Sequence, residues 1–281
     1  MRIAIVTDSM ADLPADLAEE NRIHVVPLYV IFGEESFLDG VNITSREFFR
    51  RLKTSSTVPS TSQPSPASFI SFYDRLLEEY DHIFSIHASS KLSGTFQSAC
   101  IARDTLEKES VEVIDTYQVT MCQGFVALAA ARAVLEGAGP QRARDVIHEA
   151  MDSARLLFTV DTLEYLARHG RIGRAASMLG TMMSVKPIAR IIDGEVTPVA
   201  KAYGRRVVLS RVLSLMNKEI GPGQAIHASI VHADSADRAV EWSETIKSEF
   251  NCREMIITEC GPVVGTHAGP GAIGVAWLPC G

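Results

Sequence analysis

The sequence is poor in the features that mark membrane, secreted and nucleic-acid-binding proteins. Its first residues, MRIAIVTDS, hold an apolar run of strand length that ends at Asp8, which is too short for a signal peptide or a membrane span. Lys and Arg form no long run, and 27 basic residues stand against 34 acidic ones, for a formal net charge of -7. Phosphate neutralisation needs clustered basic residues, and anionic lipid repels a chain of this sign. We therefore expect no nucleic-acid partner and no stable membrane insertion.

The cysteines lack the spacing of a metal site or a disulfide framework. They are odd in number and scattered, and no pair has the C-x-x-C spacing. Buried or idle thiols in a reducing compartment explain this pattern, so the sequence predicts a cytoplasmic protein with no metal site, and we expect a monomer. The five cysteines are Cys100, Cys122, Cys252, Cys260 and Cys280.

Sequence templates of common catalytic and nucleotide sites are also missing. There is no P-loop, no G-x-S-x-G elbow, no H-E-x-x-H and no aspartate-rich calcium loop. Gly269 to Gly274 satisfies G-x-G-x-x-G literally, but only seven residues follow Gly274, and they resemble a strand. A dinucleotide fingerprint needs a long helix and an acidic residue about 20 positions on, so nucleotide binding is disfavoured.

The first half of the chain alternates β-rich runs with helical patterns. Thr44-Ser-Arg-Glu47 is a capping box, and Ser65-Pro66 places an N-cap before a proline at the first helical position. Strands that alternate with helices of this length predict a doubly wound, mostly parallel α/β sheet in a first domain, residues 1–155. The predicted strands are 3–7, 24–32, 82–87 and 111–115.

The second half has a different pattern. Asp193-Gly194 separates two β-rich runs and predicts a two-residue hairpin. A hairpin combined with separated strands favours a mixed or antiparallel sheet, hence a second α/β domain, residues 156–281. An apolar stretch that contains Met178, Met182 and Met183 is predicted as core, and flexible methionines also suit a long cavity. The predicted strands are 156–160, 188–192, 196–202, 225–232, 255–258 and 273–278.

Two loops are rich in small hydroxyl residues and precede helices. Residues 60–65, STSQPS, either cap the next helix or offer several hydrogen-bond donors to a ligand. Residues 89–95, SSKLSGT, follow a predicted strand, and open α/β sheets place ligands at that end of their strands. Gly94 permits close backbone approach, and the free N–H groups of the following helix attract anions. Helix capping explains this second loop equally well.

A third segment, residues 265–274, is rich in glycine and holds a histidine. We interpret it as a tight loop that presents His267 beside closely packed backbone. A lone loop histidine is more often structural than functional. Asp8 and Ser9 end the first predicted strand, where they either bind a ligand or, in the case of Asp8, cap the next turn.

Taken together, these segments resemble the DegV family of bacterial fatty-acid-binding proteins, and the resemblance runs nearly end to end. The TSQPS, LSGT and H-x-G-P-G elements are specific as an ordered set, although each alone is weak. The matching segments are IAIVTDSMADLP (3–14), FGEESFLDGVNIT (32–44), TSQPSPASF (61–69), SSKLSGTFQSA (89–99), VIDT (113–116), DTLEYLARHGRIG (161–173) and THAGPGAIGV (266–275). The departures from the family pattern are Met10, Lys91, Thr120 and Cys122.

The resemblance implies a lipid site between two domains, occupied by a long-chain fatty acid of the palmitate or stearate class, with no other cofactor. It also implies a partner, an ATP-dependent fatty acid kinase that converts the bound acid to an acyl phosphate for phospholipid synthesis. Arg171, with Arg205 or Arg206, would form the surface where that kinase docks. The implied ligand-binding residues are Thr61, Ser62, Ser93, Gly94, Thr95 and His267.

A function of another class stays open at this point. Ser93 as nucleophile and His267 as base would give an acyl-transfer or hydrolytic enzyme. The elbow motif that commonly carries such a serine is missing, and no carboxylate can be assigned to orient the histidine. Lipid binding without catalysis is therefore the preferred prediction.

Overall fold

The computed structural model describes residues 1–179 and 185–280, which form three β-sheets with helices packed on them. The strands are β1 (Ile3–Asp8), β2 (Ile23–Val26), β3 (Tyr29–Phe32), β4 (Glu35–Leu38), β5 (Ser60–Ser62), β6 (His82–His87), β7 (Val111–Asp115), β8 (Arg155–Thr159), β9 (Val185–Ile192), β10 (Glu195–Tyr203), β11 (Ala225–His232), β12 (Asn251–Glu259) and β13 (Ile273–Pro279). The α-helices are α1 (Ala15–Glu20), α2 (Ser45–Thr54), α3 (Pro66–Leu77), α4 (Thr95–Leu106), α5 (Met121–Leu135), α6 (Pro140–Ser153), α7 (Glu164–Arg168), α8 (Val208–Met216), α9 (Ala236–Glu249) and α10 (Pro262–Ala268).

The first sheet is parallel, with strand order β2-β1-β6-β7. Every residue of β1 and β6 is buried, as expected for strands covered on both faces. Helices α3 and α4 cover one face, and α5 packs on β1 and β6. The predicted caps of α2 and α3 form as well, because Thr44 and Ser65 each accept an N–H from the first helical turn. The parallel α/β sheet predicted for the first half is confirmed.

The second sheet is mixed, with strand order β10-β9-β8-β13-β11-β12. Strands β11 and β12 are parallel, and the other neighbours are antiparallel. Asp193 and Gly194 both have positive φ, 54° and 81°, which is the conformation that a two-residue hairpin turn requires. Helices α8 and α9 pack on one face of this sheet. The mixed-sheet α/β fold of the second half is confirmed, and the division at residue 155 stays a prediction.

A small antiparallel sheet, with order β4-β3-β5, corrects two predictions. The single strand expected over 24–32 is wrong, because Pro27 has no N–H and the chain leaves the parallel sheet there. Strand β2 ends before Pro27, and β3 begins after it in the small sheet. The segment 60–65, expected as a loop, begins with β5, whose Thr61 pairs with Val30.

The glycine-rich segment expected as a loop begins instead with residues 265–268, which form the end of helix α10. Pro262 occupies the first helical position, where its missing N–H costs nothing, and Gly269 ends the helix with φ 74°. Residues 173–178 form a 3₁₀ helix. Met178 is buried, whereas Met182 and Met183 lie outside the described residues. In the described ranges, no helix combines the length and the apolar character that a membrane crossing needs.

Candidate functional site

A cavity of about 740 Å³, its open mouth included, is lined by residues from both halves of the chain. Most lining side chains are apolar, so the interior suits a hydrocarbon. The lining residues are Met10, Leu92, Val119, Thr120, Leu156, Phe158, Leu166, Arg171, Ile191, Val196, Val231, His232, Ala233, Cys260, Val264, His267, Ala268, Ala272, Ile273 and Gly274.

Strand packing in the mixed sheet shapes one wall of this cavity. Gly274 of β13 pairs with Phe158 of β8, and both residues line the cavity. A Cβ added at Gly274 would lie 2.8 Å from the Phe158 Cβ and 2.9 Å from the Leu157 carbonyl oxygen. Glycine at this position therefore permits the close approach of the two strands. The wall is built by backbone proximity as well as by apolar side chains.

The predicted threonine and histidine meet at the cavity. The Thr61 Oγ1 and His267 Nε2 atoms are 2.9 Å apart, although 206 positions separate the two residues in sequence. Strand β5 supplies Thr61, and the last turn of α10, which packs against β5, supplies His267. The other ring nitrogen of His267, Nδ1, is buried and has no hydrogen-bond partner among the residues that the structure describes. Nε2 of His267 is thus held by Thr61, whereas Nδ1 is free to bond with a ligand.

A second histidine, His169, packs against His267. The ring centroids are 5.0 Å apart at an interplanar angle of 78°. His169 Nε2 lies 2.9 Å from the Pro59 carbonyl oxygen, and its Nδ1 lies 3.0 Å from the Tyr165 carbonyl oxygen. Carbonyl oxygens only accept, so both contacts are hydrogen bonds only when the His169 ring carries two protons. In that form, His169 places a positive charge beside His267.

The environment keeps His267 neutral. Burial, followed by the charges of His169 and Arg171, lowers the pKa of His267 to about 3. A neutral imidazole donates from one nitrogen and accepts at the other. If the Thr61 hydroxyl donates to Nε2, the proton of His267 resides on Nδ1, where it is available to an acceptor. The Thr61 hydroxyl can therefore set the tautomer of the histidine.

The LSGT segment lies beside the TSQPS segment, as the sequence suggested. A Cβ added at Gly94 would lie 2.8 Å from the Gln63 side-chain nitrogen, so glycine allows the two segments to touch. The Ser93 hydroxyl lies 2.8 Å from the Thr95 hydroxyl and accepts the Thr95 N–H at 3.3 Å. These contacts are local to the start of α4.

The six predicted ligand residues do not all occupy equivalent places. His267 lines the cavity, and Thr61 contacts His267. Ser62 follows Thr61 on β5, so its side chain points to the opposite face, where its hydroxyl donates to the Gln63 carbonyl at 3.3 Å. Ser93, Gly94 and Thr95 are absent from the cavity lining, although the preceding residue, Leu92, belongs to it.

The contacts of Ser93 weigh against the alternative enzyme function. A serine nucleophile needs a hydrogen bond to its base, and in this structure the Nε2 of His267 contacts Thr61 instead. The hydroxyl of Ser93 contacts Thr95.

The predicted arginines are exposed, and one of them belongs to the cavity. Arg171 lines the cavity and donates to the carbonyl oxygens of Leu92, at 3.0 Å, and His169, at 2.6 Å. It therefore ties the LSGT segment to the segment that carries His169. Arg205 is exposed and forms an ion pair with Asp161, and Arg206 is also exposed.

Sequence reasoning missed several residues that shape this region. His169 lies within DTLEYLARHGRIG, but its edge-to-face contact with His267 depends on the approach of α7 to α10. Tyr165 lies so close to Gly269 that a Cβ there would fall 2.2 Å from the tyrosine ring. Asp12 and Asp39 contact the start of α10, as described below. The sequence signal for this pair was that His169 and His267 each stand in a short glycine-containing segment, HGRIG and HAGPG.

Comparison with known proteins identifies the family of this chain. The model of the DegV family, described as uncharacterised proteins, matches residues 2–280. A DegV domain-containing protein of Halalkalibacterium halodurans is 38% identical over 280 residues, 98% of each chain. A DegV family protein from Thermus thermophilus, described as fatty acid binding, has a TM-score of 0.94 and 33% identity, with all of both chains covered.

A stearic acid-binding protein from Eubacterium ventriosum has a TM-score of 0.89 and 26% identity, covering 99% of this chain and 98% of that protein. Solved members of the family are thus described as fatty acid binding, and the family match spans almost the whole sequence. The chain belongs to the DegV family.

Proposed function

We propose that this protein binds a long-chain fatty acid of the palmitate or stearate class, with the hydrocarbon tail in the cavity and the carboxylate near His267. The observation that carries the proposal is an apolar cavity with the neutral, half-satisfied imidazole of His267 on its wall. An apolar interior with few convergent polar groups is typical of small-molecule sites. The similarity to proteins described as fatty acid binding supports the same ligand.

The tail supplies most of the binding free energy in this proposal. Each buried methylene contributes about 0.8 kcal/mol, so a dozen methylenes contribute about 10 kcal/mol. Association costs about 4–15 kcal/mol in lost translational and rotational freedom. The tail therefore offsets much of that cost, and the head group has to avoid adding a penalty for an unpaired buried carboxylate.

The head group is held by neutral donors within a positive environment. The Thr61 hydroxyl donates to Nε2 of His267, and the Nδ1–H of His267 then donates to a carboxylate oxygen. Arg171, which lines the cavity, provides positive potential without a buried lysine or arginine contacting the acid directly. As the family motifs imply, the hydroxyls and N–H groups of residues 93–95 would complete the site, and Gly94 lies against Gln63 of the segment that carries Thr61.

Native mass spectrometry of the purified protein tests lipid binding. We expect a retained mass equal to one fatty acid. Val231→Phe, which fills the cavity, should reduce retention, whereas Val240→Phe on the exposed face of α9 should not. Protein that carries no lipid and takes up no added palmitate would refute the proposal. So would retention by Val231→Phe equal to that of the wild type, provided that the variant is folded by circular dichroism.

We further propose that the bound acid is presented to an ATP-dependent fatty acid kinase, which transfers a phosphoryl group from ATP to the carboxylate for phospholipid synthesis. The exposed guanidinium groups of Arg171 and Arg205 support a docking role, because Arg171 connects the protein surface with the cavity. The cytoplasmic location and the monomeric state remain predictions from the sequence.

Acyl phosphate formation with a fatty acid kinase and ATP tests the presentation role, with hydroxylamine trapping as the readout. Arg171→Glu and Arg205→Glu should lower the rate while the fatty acid stays bound. Arg142→Glu, on the exposed face of α6, serves as the charge-matched control. Unchanged rates in both test variants would refute the docking surface, and lipid binding would stand independently.

A further inference from the structure

Two buried aspartates of the first half hold the start of α10. The Gly261 N–H donates to Asp12 Oδ1 at 2.7 Å, and the Val263 N–H donates to Asp39 Oδ2 at 3.3 Å. Asp12 follows β1, and Asp39 follows β4, so both belong to the half opposite to α10. The two side chains are nearly inaccessible, with 6% and 4% of each residue exposed. The helix that carries His267 is therefore attached at its other end through two carboxyl groups.

The packing around these groups leaves little freedom. A Cβ added at Gly261 would lie 2.7 Å from Asp39 Oδ1 and 3.0 Å from its Oδ2, so glycine is needed for this approach. The Ser9 hydroxyl donates to Asp39 Oδ2 at 3.0 Å and in turn accepts the Leu28 N–H at 3.1 Å. Asp12 Oδ2 is buried and has no hydrogen-bond partner within the described part of the chain. Movement of either carboxyl group would therefore alter the position of the first turn of α10.

The groups that face this pair provide no positive charge. Asp8 lies close enough to disfavour ionisation of both aspartates, and its own carboxylate is occupied by His87 and backbone N–H groups. Cys260 is buried beside the pair, and Glu259 precedes it on β12. Burial raises the pKa of both of these groups, which favours their neutral forms. No side-chain cation pairs with Asp12 or Asp39 among the residues that the structure describes.

We propose that Asp12 and Asp39 are positioning residues for the carboxylate site, which hold α10 and hence His267 in place, and that proton uptake by this pair couples fatty acid retention to pH. The inference rests on the proposed fatty acid function and identifies how the same site is regulated. Helix α10 is about 10 Å long, so displacement of its first turn moves His267 relative to Thr61.

The direction of the pH effect follows from the burial of the aspartates. Burial raises the pKa of Asp39 to about 7, and it raises the pKa of Asp12 well above its ordinary value. An aspartate in water releases its proton near pH 3.9. Between about pH 4 and pH 7, the two aspartates therefore bind more protons when they are buried against α10 than when α10 is displaced and they are in water. The state with α10 in place is progressively lost as the pH rises through that window.

The dissociation rate of bound palmitate, chased with excess albumin, tests this mechanism. For the wild type, we expect the rate to rise at least about tenfold between pH 5 and pH 7.5. Asp39→Asn keeps an acceptor for Val263 but does not titrate, so its rate should change much less over the same range. Asp39→Ala removes the acceptor and should release palmitate faster at every pH. Any ionisation of the fatty acid itself is common to all variants.

Two matched controls separate positioning from general destabilisation. Asp16→Asn alters an exposed aspartate and should retain the wild-type profile. Gly261→Ala should accelerate release, whereas Gly139→Ala should not. Both glycines precede a proline at the start of a helix in extended conformation, and a Cβ at Gly139 would meet nothing within 4 Å. Equal pH profiles for the wild type and Asp39→Asn would overturn the inference. Absence of palmitate binding by the wild type at every pH would instead overturn the proposed function.

Discussion

The two ends of helix α10 bury titratable groups of opposite chemistry. At the first turn, Asp12 and Asp39 accept backbone N–H groups, and burial raises the pKa of both carboxyls. At the last turn, His267 contacts Thr61, and burial lowers the pKa of the imidazole. One cause, the cost of placing charge in a poorly solvated environment, drives acids and base alike toward their neutral forms.

The two ends of α10 differ in which buried polar atoms lack a hydrogen-bond partner among the described residues. The first turn is closed by contacts within the protein, apart from Asp12 Oδ2, although Val264 of that turn lines the cavity. At the last turn, His267 lines the cavity, and its Nδ1 has no hydrogen-bond partner among the described residues. The comparison teaches that the same helix is anchored at one end and presents a binding group at the other.

The largest expected effect concerns the pH dependence of stability at the last turn. His267 takes up a proton near pH 6.5 when unfolded and near pH 3 when folded, so its contribution is complete above pH 6.5 and is lost as the pH falls toward 3. Between pH 7 and pH 4, this group should account for about 3 kcal/mol of lost stability. Urea unfolding at both pH values measures it, with His267→Gln as the comparison. A variant that loses as much stability as the wild type would show that His267 is not the titrating group.

The end of α10 should also be more sensitive to added volume than an open helix end. Gly269 has φ 74° and lies against the Tyr165 ring, whereas Gly137 has φ 96° and an open surrounding. Gly269→Ala should lower the free energy of unfolding by about 2 kcal/mol more than Gly137→Ala, because only the former adds a clash to the backbone strain. Urea denaturation measures both variants. Equal losses would mean that Tyr165 moves aside without cost.

Loss of the hydroxyl at Thr61 should have a moderate effect on the last turn. Thr61→Val keeps the shape of the side chain and removes its hydrogen bond with His267, which should lower the free energy of unfolding by about 1 kcal/mol. It should also weaken palmitate binding by about tenfold, since His267 loses the group that fixes its tautomer and 1.4 kcal/mol corresponds to a factor of ten. Isothermal titration and urea unfolding provide the two values. Unchanged affinity would show that the tautomer of His267 does not affect palmitate binding.

The smallest effect is expected at Ser62, on the opposite face of β5. Its hydroxyl makes a single long contact with the neighbouring Gln63 carbonyl. Ser62→Ala should therefore change the free energy of unfolding by less than about 0.5 kcal/mol and leave palmitate affinity within about twofold of the wild type. A loss comparable with that of Thr61→Val would place Ser62 in the head-group site after all.

Much of the architecture followed from local patterns in the sequence. Strands β1 and β6 were predicted by β-rich runs of strand length, and Asp193-Gly194 predicted the hairpin of β9 and β10. The caps at Thr44 and Ser65 followed from side-chain chemistry within one helical turn. The break between β2 and β3 was missed, although Pro27 marks it, because apolar β-branched residues continue on both sides.

The sequence by itself determined the α/β alternation, the turn, the caps and the set of motifs that define the family, since each depends on residues close together along the chain. Tertiary structure decided that residues 262–268 form a helix and that Thr61 contacts His267. It also decided that His169 packs edge to face against His267. It also decided the burial of Asp12 and Asp39. These features depend on desolvation and on contacts between distant segments, which local periodicity and turn chemistry do not encode.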